Sequence, residues 1–112
     1  MNEDEKKYHL IITIVLEGYL EQAMAAAKKA GATGGTVFNA HGTANKEIRS
    51  FFGIPVLPEK EMIFIIVDNK IKDAVLLSIY KAAGIETKGA GIVFSLPVEN
   101  VMGVGEDKKE GK

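Results

Sequence analysis

The chain states one pattern twice, and that repetition limits what it can fold into more than any other feature. The first copy runs from His9-Leu10-Ile11-Ile12-Thr13-Ile14-Val15, through an alanine-rich segment closing at Lys29-Ala30-Gly31, to Gly35-Thr36-Val37-Phe38. The second runs from Met62-Ile63-Phe64-Ile65-Ile66-Val67, through a helical segment closing at Ala82-Ala83-Gly84, to Gly91-Ile92-Val93-Phe94. Each copy reads strand, helix, strand, with glycines just ahead of its second strand.

Two strand-helix-strand units in series, joined by a hairpin, predict an α+β fold. The arrangement is the ferredoxin-like double βαβ (βαββαβ), a four-stranded antiparallel sheet with two helices on one face. Helix one is read from Tyr19, with its inward stripe at Leu20, Ala23, Met24, Ala27 and Ala30 and Gly31 closing it in a left-handed cap. Strand two is Thr36 to Ala40 and strand three Glu61 to Val67. Asp68 is read as the N-cap of helix two, whose inward stripe is Ile71, Ala74, Val75, Ile79 and Ala82, with Gly84 as the matching C-cap. Ile92 to Leu96 make strand four, and residues 97–102 are read as a short additional edge strand. Residues 1–104 form one domain, too short for two cores, and 105–112 are a charged flexible tail.

The helices of this fold cover one sheet face only, yet the strands are apolar on both. Met62, Phe64 and Ile66 point one way and Ile63, Ile65 and Val67 the other; Leu10, Ile12 and Ile14 likewise oppose Ile11 and Val15. A half-exposed sheet alternates apolar with polar, and this one does not. Leaving such side chains in water forgoes about 1.5 to 3 kcal/mol each. With no residues left for a second helical layer, neighbouring copies are expected to supply the cover, making the chain a homo-oligomer. The competing reading is a short edge strand folded back over that face.

Composition narrows the function classes. With 14 basic and 15 acidic side chains the net charge is −1, which gives no electrostatic reason to expect nucleic acid or an anionic membrane as partner. Cysteine is absent, which removes disulfides, thiolate metal sites and cysteine nucleophiles together. The acidic start Met1-Asn2-Glu3-Asp4-Glu5 lacks the basic and apolar regions of a signal peptide, so a cytoplasmic, soluble protein is expected. No metal-ligand pair sits at helical or hairpin spacing and no serine lies in a nucleophile elbow. His9 reads as structural and His41 as the one imidazole near a glycine-rich turn. A catalytic role is not expected.

Two segments invite function. Residues 41–58 separate strands two and three, where a hairpin needs roughly two to five residues. This loop carries Arg49-Ser50-Phe51-Phe52-Gly53-Ile54-Pro55, an apolar cluster beside an arginine, which suits an arm that docks on a partner; Arg49, Phe51, Phe52 and Ile54 are the candidate contacts, the alternative being that they anchor the loop to its own domain. The glycine turns Gly34-Gly35-Thr36 and Lys88-Gly89-Ala90-Gly91 let backbone amides approach an anion, although neither is a Walker loop and both serve equally as plain tight turns. Strands two and four are opposite edges of the predicted sheet, so these turns meet only across a subunit boundary, which makes a cleft between subunits the expected binding place.

Taken in order, Gly34-Gly35-Thr36-Val37 before strand two, the long loop, Gly89-Ala90-Gly91 before strand four, and Phe94 followed by Pro97-Val98-Glu99 resemble the nitrogen-regulatory PII signalling proteins over about residues 8 to 104. The resemblance implies a homotrimer whose sheets line its interior. It implies ATP or ADP bound in the clefts between subunits; an adenine nucleotide (ATP, ADP or AMP) or another small anionic effector is the expected ligand. It further implies a loop that reports the bound state to a membrane transporter or metabolic enzyme. Carried over, Gly34, Gly35 and Thr36 lie at the adenine and ribose side, Gly42 at the loop root, Gly89, Ala90 and Gly91 along the phosphates, and Ile66 beside the base; His41 and Lys88 join them as candidate cations. The chain departs from the family at Ile92, Gly103 and Gly105, where the family's phosphate-neutralising lysine and arginines fall. Lys88, His41 and Arg49 are the candidate replacements, and a ligand of lower charge, AMP or an adenine nucleoside, is the other reading. The loop lacks the tyrosine that many relatives have uridylylated, so that modification is not expected. The alternative from the same architecture is a CutA-like trimeric structural or metal-tolerance protein without nucleotide sensing.

Overall fold

The computed structural model describes residues 7–41, 49–51, 54–56, 59–83, 85 and 91–103. Strand β1 (Tyr8–Leu16) leads into helix α1 (Leu20–Lys29), strand β2 (Thr36–His41), the short strands β3 (Arg49–Phe51) and β4 (Ile54–Val56), strand β5 (Glu59–Asp68), helix α2 (Lys72–Ala82) and strand β6 (Gly91–Val98). The main sheet has the order β2-β5-β1-β6, with each neighbouring pair antiparallel. This is the ferredoxin-like α+β arrangement expected from the repeat, with β2 and β6 as its two edges.

The alternation along β1 and β5 decides which residues meet the helices. Ile11 and Val15 on β1 and Ile63, Ile65 and Val67 on β5 are buried with Ala23 and Ala27 of α1 and Val75 and Ile79 of α2. Ala23 and Ala27 of α1 are fully buried in this core, and the two helices pack against one another. Helix α1 closes as expected: Gly31 takes φ +118, its N–H bonds to the Lys28 carbonyl at 3.0 Å and the Ala32 N–H to the Ala27 carbonyl at 3.0 Å. That paired arrangement requires a left-handed residue at position 31.

Three local expectations are corrected. Asp68 does not cap α2; Ile71 holds the N-cap position and makes no side-chain cap bond. Asp68 Oδ1 instead accepts the Lys70 N–H at 2.8 Å while its carbonyl accepts the Ile71 N–H at 3.0 Å, a turn that inserts three residues between strand and helix. Ala74 and Ala82 are exposed rather than inward, and Ala83 is buried instead. Pro97 and Val98 continue β6 rather than start another strand, so among the described residues no strand folds back over the open face. Within the segment read as a loop, His41 belongs to β2, and β3 pairs with β4 through Arg49↔Val56, Ser50↔Pro55 and Phe51↔Ile54.

The face opposite the helices is uncovered. Leu10, Ile12 and Ile14 lie in register with Ile66, Phe64 and Met62 on one side and with Leu96, Phe94 and Ile92 on the other, giving three continuous apolar rows. Phe38, Ile92, Phe94 and Leu96 remain 37% to 52% exposed. Both faces of β2 are open as well, since Val37, on its helix side, is also exposed.

Candidate functional site

The glycine turn before β2 and the end of β5 build one groove. Antiparallel pairing sets Thr36 opposite Phe64, so the Gly34-Gly35 backbone lies over the neighbouring part of β5. Its fit there is tight: a Cβ added to Gly35 would stand 2.9 Å from Ile65 Cγ1 and 3.1 Å from the Phe64 carbonyl oxygen. Only glycine allows this approach. Gly34, by contrast, faces open space.

Beside that contact opens a groove of about 300 Å³ that gathers Gly34, Gly35, Thr36 and Ile66, four of the residues expected to bind, together with Thr33, Phe64 and Gly103. Its floor is apolar, from Phe64 and Ile66. Its rim offers two hydroxyls and glycine backbone. The Phe64 ring is held by Phe38, with centroids 4.8 Å apart and planes at 57°, an edge-tilted packing that fixes the floor's orientation.

Other expected site residues lie elsewhere. Gly91 begins β6 on the opposite edge of the sheet, where a Cβ would run into the Ile14 carbonyl oxygen. His41 closes β2 opposite Glu59, five residues along the strand from Thr36 and hence about 16 Å away. Gly42, Phe52, Lys88, Gly89 and Ala90 lie outside the described residues, as do the side chains of Arg49, Phe51 and Ile54. The sequence reading missed Thr33 and Phe64 as lining residues. Phe64 was findable, because it sits two positions before Ile66 on the same strand face; Gly103 was noted as a departure, and its return to the groove is a tertiary fact.

His9 is buried at 2% exposure on the helix side, and neither ring nitrogen has a hydrogen-bond partner; it is a core residue remote in role from the groove. Among the described residues no group of three or more His, Asp or Glu side chains could hold a metal ion. Asp68, two residues past Ile66, is held below the usual carboxylate range chiefly by the Lys70 backbone N–H, against the opposing effect of burial and with lesser help from Lys7. A larger groove, about 440 Å³, runs between the C-terminal turns of α1 and α2 with Lys29 and Lys81 at its sides. Those lysines sit where helix carbonyl ends attract cations, which accounts for them without a ligand.

Comparison with known proteins agrees with this architecture. A family model described as "Nitrogen regulatory protein P-II" matches residues 8–108. Among solved structures, PII of Arabidopsis thaliana, crystallised bound to citrate, superimposes with a TM-score of 0.71 at 26% identity, covering 92% of this chain and 91% of that one. No curated protein matches the chain.

Proposed function

Because the chain belongs to the nitrogen regulatory protein P-II family, we propose that it is a non-enzymatic cytoplasmic regulator. In this reading it works as a homotrimer that binds an adenine nucleotide or another small anionic effector at its subunit clefts and controls a transporter or enzyme through residues 41–58. The observation that carries the reading is the groove in which Gly34, Gly35, Thr36 and Ile66 converge on the edge of an uncovered apolar sheet. Thr36 and Gly91 begin strands on opposite edges of the sheet within one chain, so a cleft using both needs a second copy. Burying the exposed halves of Phe38, Ile92, Phe94 and Leu96 adds about 1 kcal/mol for each residue. Continuous apolar faces of this extent are unusual on monomers.

The citrate in the Arabidopsis structure supports a small anionic effector as a class. Any change in partner affinity at residues 41–58 that effector binding brings about would be matched by an equal change in effector affinity when the partner binds. The family match favours this reading over a CutA-like one. Sedimentation combined with calorimetry against adenosine, AMP, ADP, ATP and citrate tests it. A trimer that binds at least one of them is the expected result, and a folded monomer, or a trimer that binds none, would reject it.

A further inference from the structure

On the side of the molecule away from the open sheet face, we infer that the outward face of α2 pairs with the same face of a second copy, antiparallel, about a twofold axis through Leu77. The pattern of that face carries this. Val75 and Ile79 are fully buried against the sheet, and Leu77, two residues from each, is turned to the opposite side of the helix, where it stays 53% exposed. Tyr80, one turn on, is 41% exposed, and Ala74, one turn back, is exposed as well. A single surface leucine is ordinary. Three such positions at successive turns form an uncharged ridge on which a second helix can pack.

The ends of the ridge decide the partner. Asp73 stands four residues before Leu77 and Lys81 four after, each about 6 Å from it along the axis. Asp73 lies in the first turn and Lys81 in the last, so each charge also suits its own helix dipole. The Asp73 side chain is 92% exposed and loosely held, with Lys72 Nζ 3.8 Å away. Turned end for end, a copy of this face brings its Lys81 to the level of Asp73 and its Asp73 to the level of Lys81. Leu77 then meets Leu77, and small Ala74 lies level with the Tyr80 ring. A twofold axis makes the two ion pairs equivalent, whereas parallel pairing in register would set like charge on like. Both helices lie on the face of the sheet opposite the uncovered apolar rows, so this pairing leaves that face free and joins whatever it builds two at a time. About two turns per copy bury less than the roughly 1,200 Å² at which stable interfaces begin, so the pairing is transient in dilute solution.

The chain contains no cysteine, so an introduced one reports the contact directly. Under mild oxidation of the full chain, Leu77→Cys should link two chains at least about tenfold faster than Glu21→Cys, an exposed control on α1 that the twofold axis holds too far from its copy to bridge. In the Leu77→Cys background, Asp73→Lys should slow linking about fivefold by placing like charges together, and adding Lys81→Glu should restore it. Lys81→Glu alone should slow it as much, and serves if Asp73→Lys disturbs the helix; circular dichroism of each variant should match wild type. Equal rates for Leu77→Cys and Glu21→Cys would overturn the pairing. Charge reversals that leave the rate unchanged, or a doubly reversed variant that does not recover, would overturn the antiparallel register on which it rests. A chain that sediments as a monomer, binds no effector and still links through position 77 would reject the effector reading and leave this inference standing.

Discussion

Phe38 on the edge strand β2 and Phe64 on β5 meet ring to ring on the side of the sheet that no helix covers, with centroids 4.8 Å apart. The pair ties the candidate groove to the proposed subunit interface, since Phe64 lines the first and Phe38 is exposed beside the second. Phe38→Ala should therefore lower stability by about 1 to 2 kcal/mol, from the lost ring contact and lost burial, and weaken ligand binding together with it. Denaturant unfolding and calorimetry on the same variant check whether the two effects travel together. Unchanged binding would separate the groove from its brace.

A charge on the open face should separate the copies without unfolding them. Leu96 is 47% exposed in the single chain, so Leu96→Asp leaves the helix-side core intact. Desolvating an unpaired carboxylate at an apolar interface is costly enough to dissociate it. Sedimentation velocity should show a folded monomer, and a trimer retained by this variant would exclude that face from the interface.

Three glycines give a graded test of close packing. Gly34→Ala meets nothing within 4 Å and should be neutral within about 0.5 kcal/mol. Gly35→Ala presses on Ile65 and the Phe64 carbonyl and should cost about 1 to 3 kcal/mol. Gly91→Ala strikes the Ile14 carbonyl oxygen, a backbone atom in the β1–β6 pairing that has no rotamer to yield, and should be the most damaging. Urea midpoints for the three variants check the order.

Thr13 is fully buried, and its hydroxyl has no hydrogen-bond partner. Replacing an unsatisfied buried hydroxyl by a methyl group of similar shape removes a desolvation penalty, so Thr13→Val should stabilise the protein by about 1 kcal/mol. A loss of stability on chemical denaturation would contradict this reading of the core.

Acid titration should expose the turn that joins β5 to α2. The Asp68 carboxyl lies below its ordinary value of 3.8 because the Lys70 N–H, and then Lys7, favour the ionised form. A carboxyl lowered in the folded state contributes stability that is complete above the unfolded-state value and lost as pH falls through the folded one. The stability difference between wild type and Asp68→Ala, about 1 kcal/mol near pH 6, should accordingly shrink as pH falls below about 4. Parallel denaturation curves across that range would measure it.

What could be read from the sequence alone was what neighbours along the chain decide. Period-two alternation in β1 and β5, helical spacing in α1, and Gly31 after Lys29-Ala30 all depend on contacts within about four residues, and the doubled pattern then left few topologies open. Asp68 shows where local reasoning misled: a cap and an Asx turn use the same side chain, and the three residues before Lys72 decide between them. The groove belongs to the tertiary structure. Thr36 meets Phe64, and Gly103 returns beside both, because strand register is set by the summed burial of whole rows of side chains. No short stretch of sequence contains that sum.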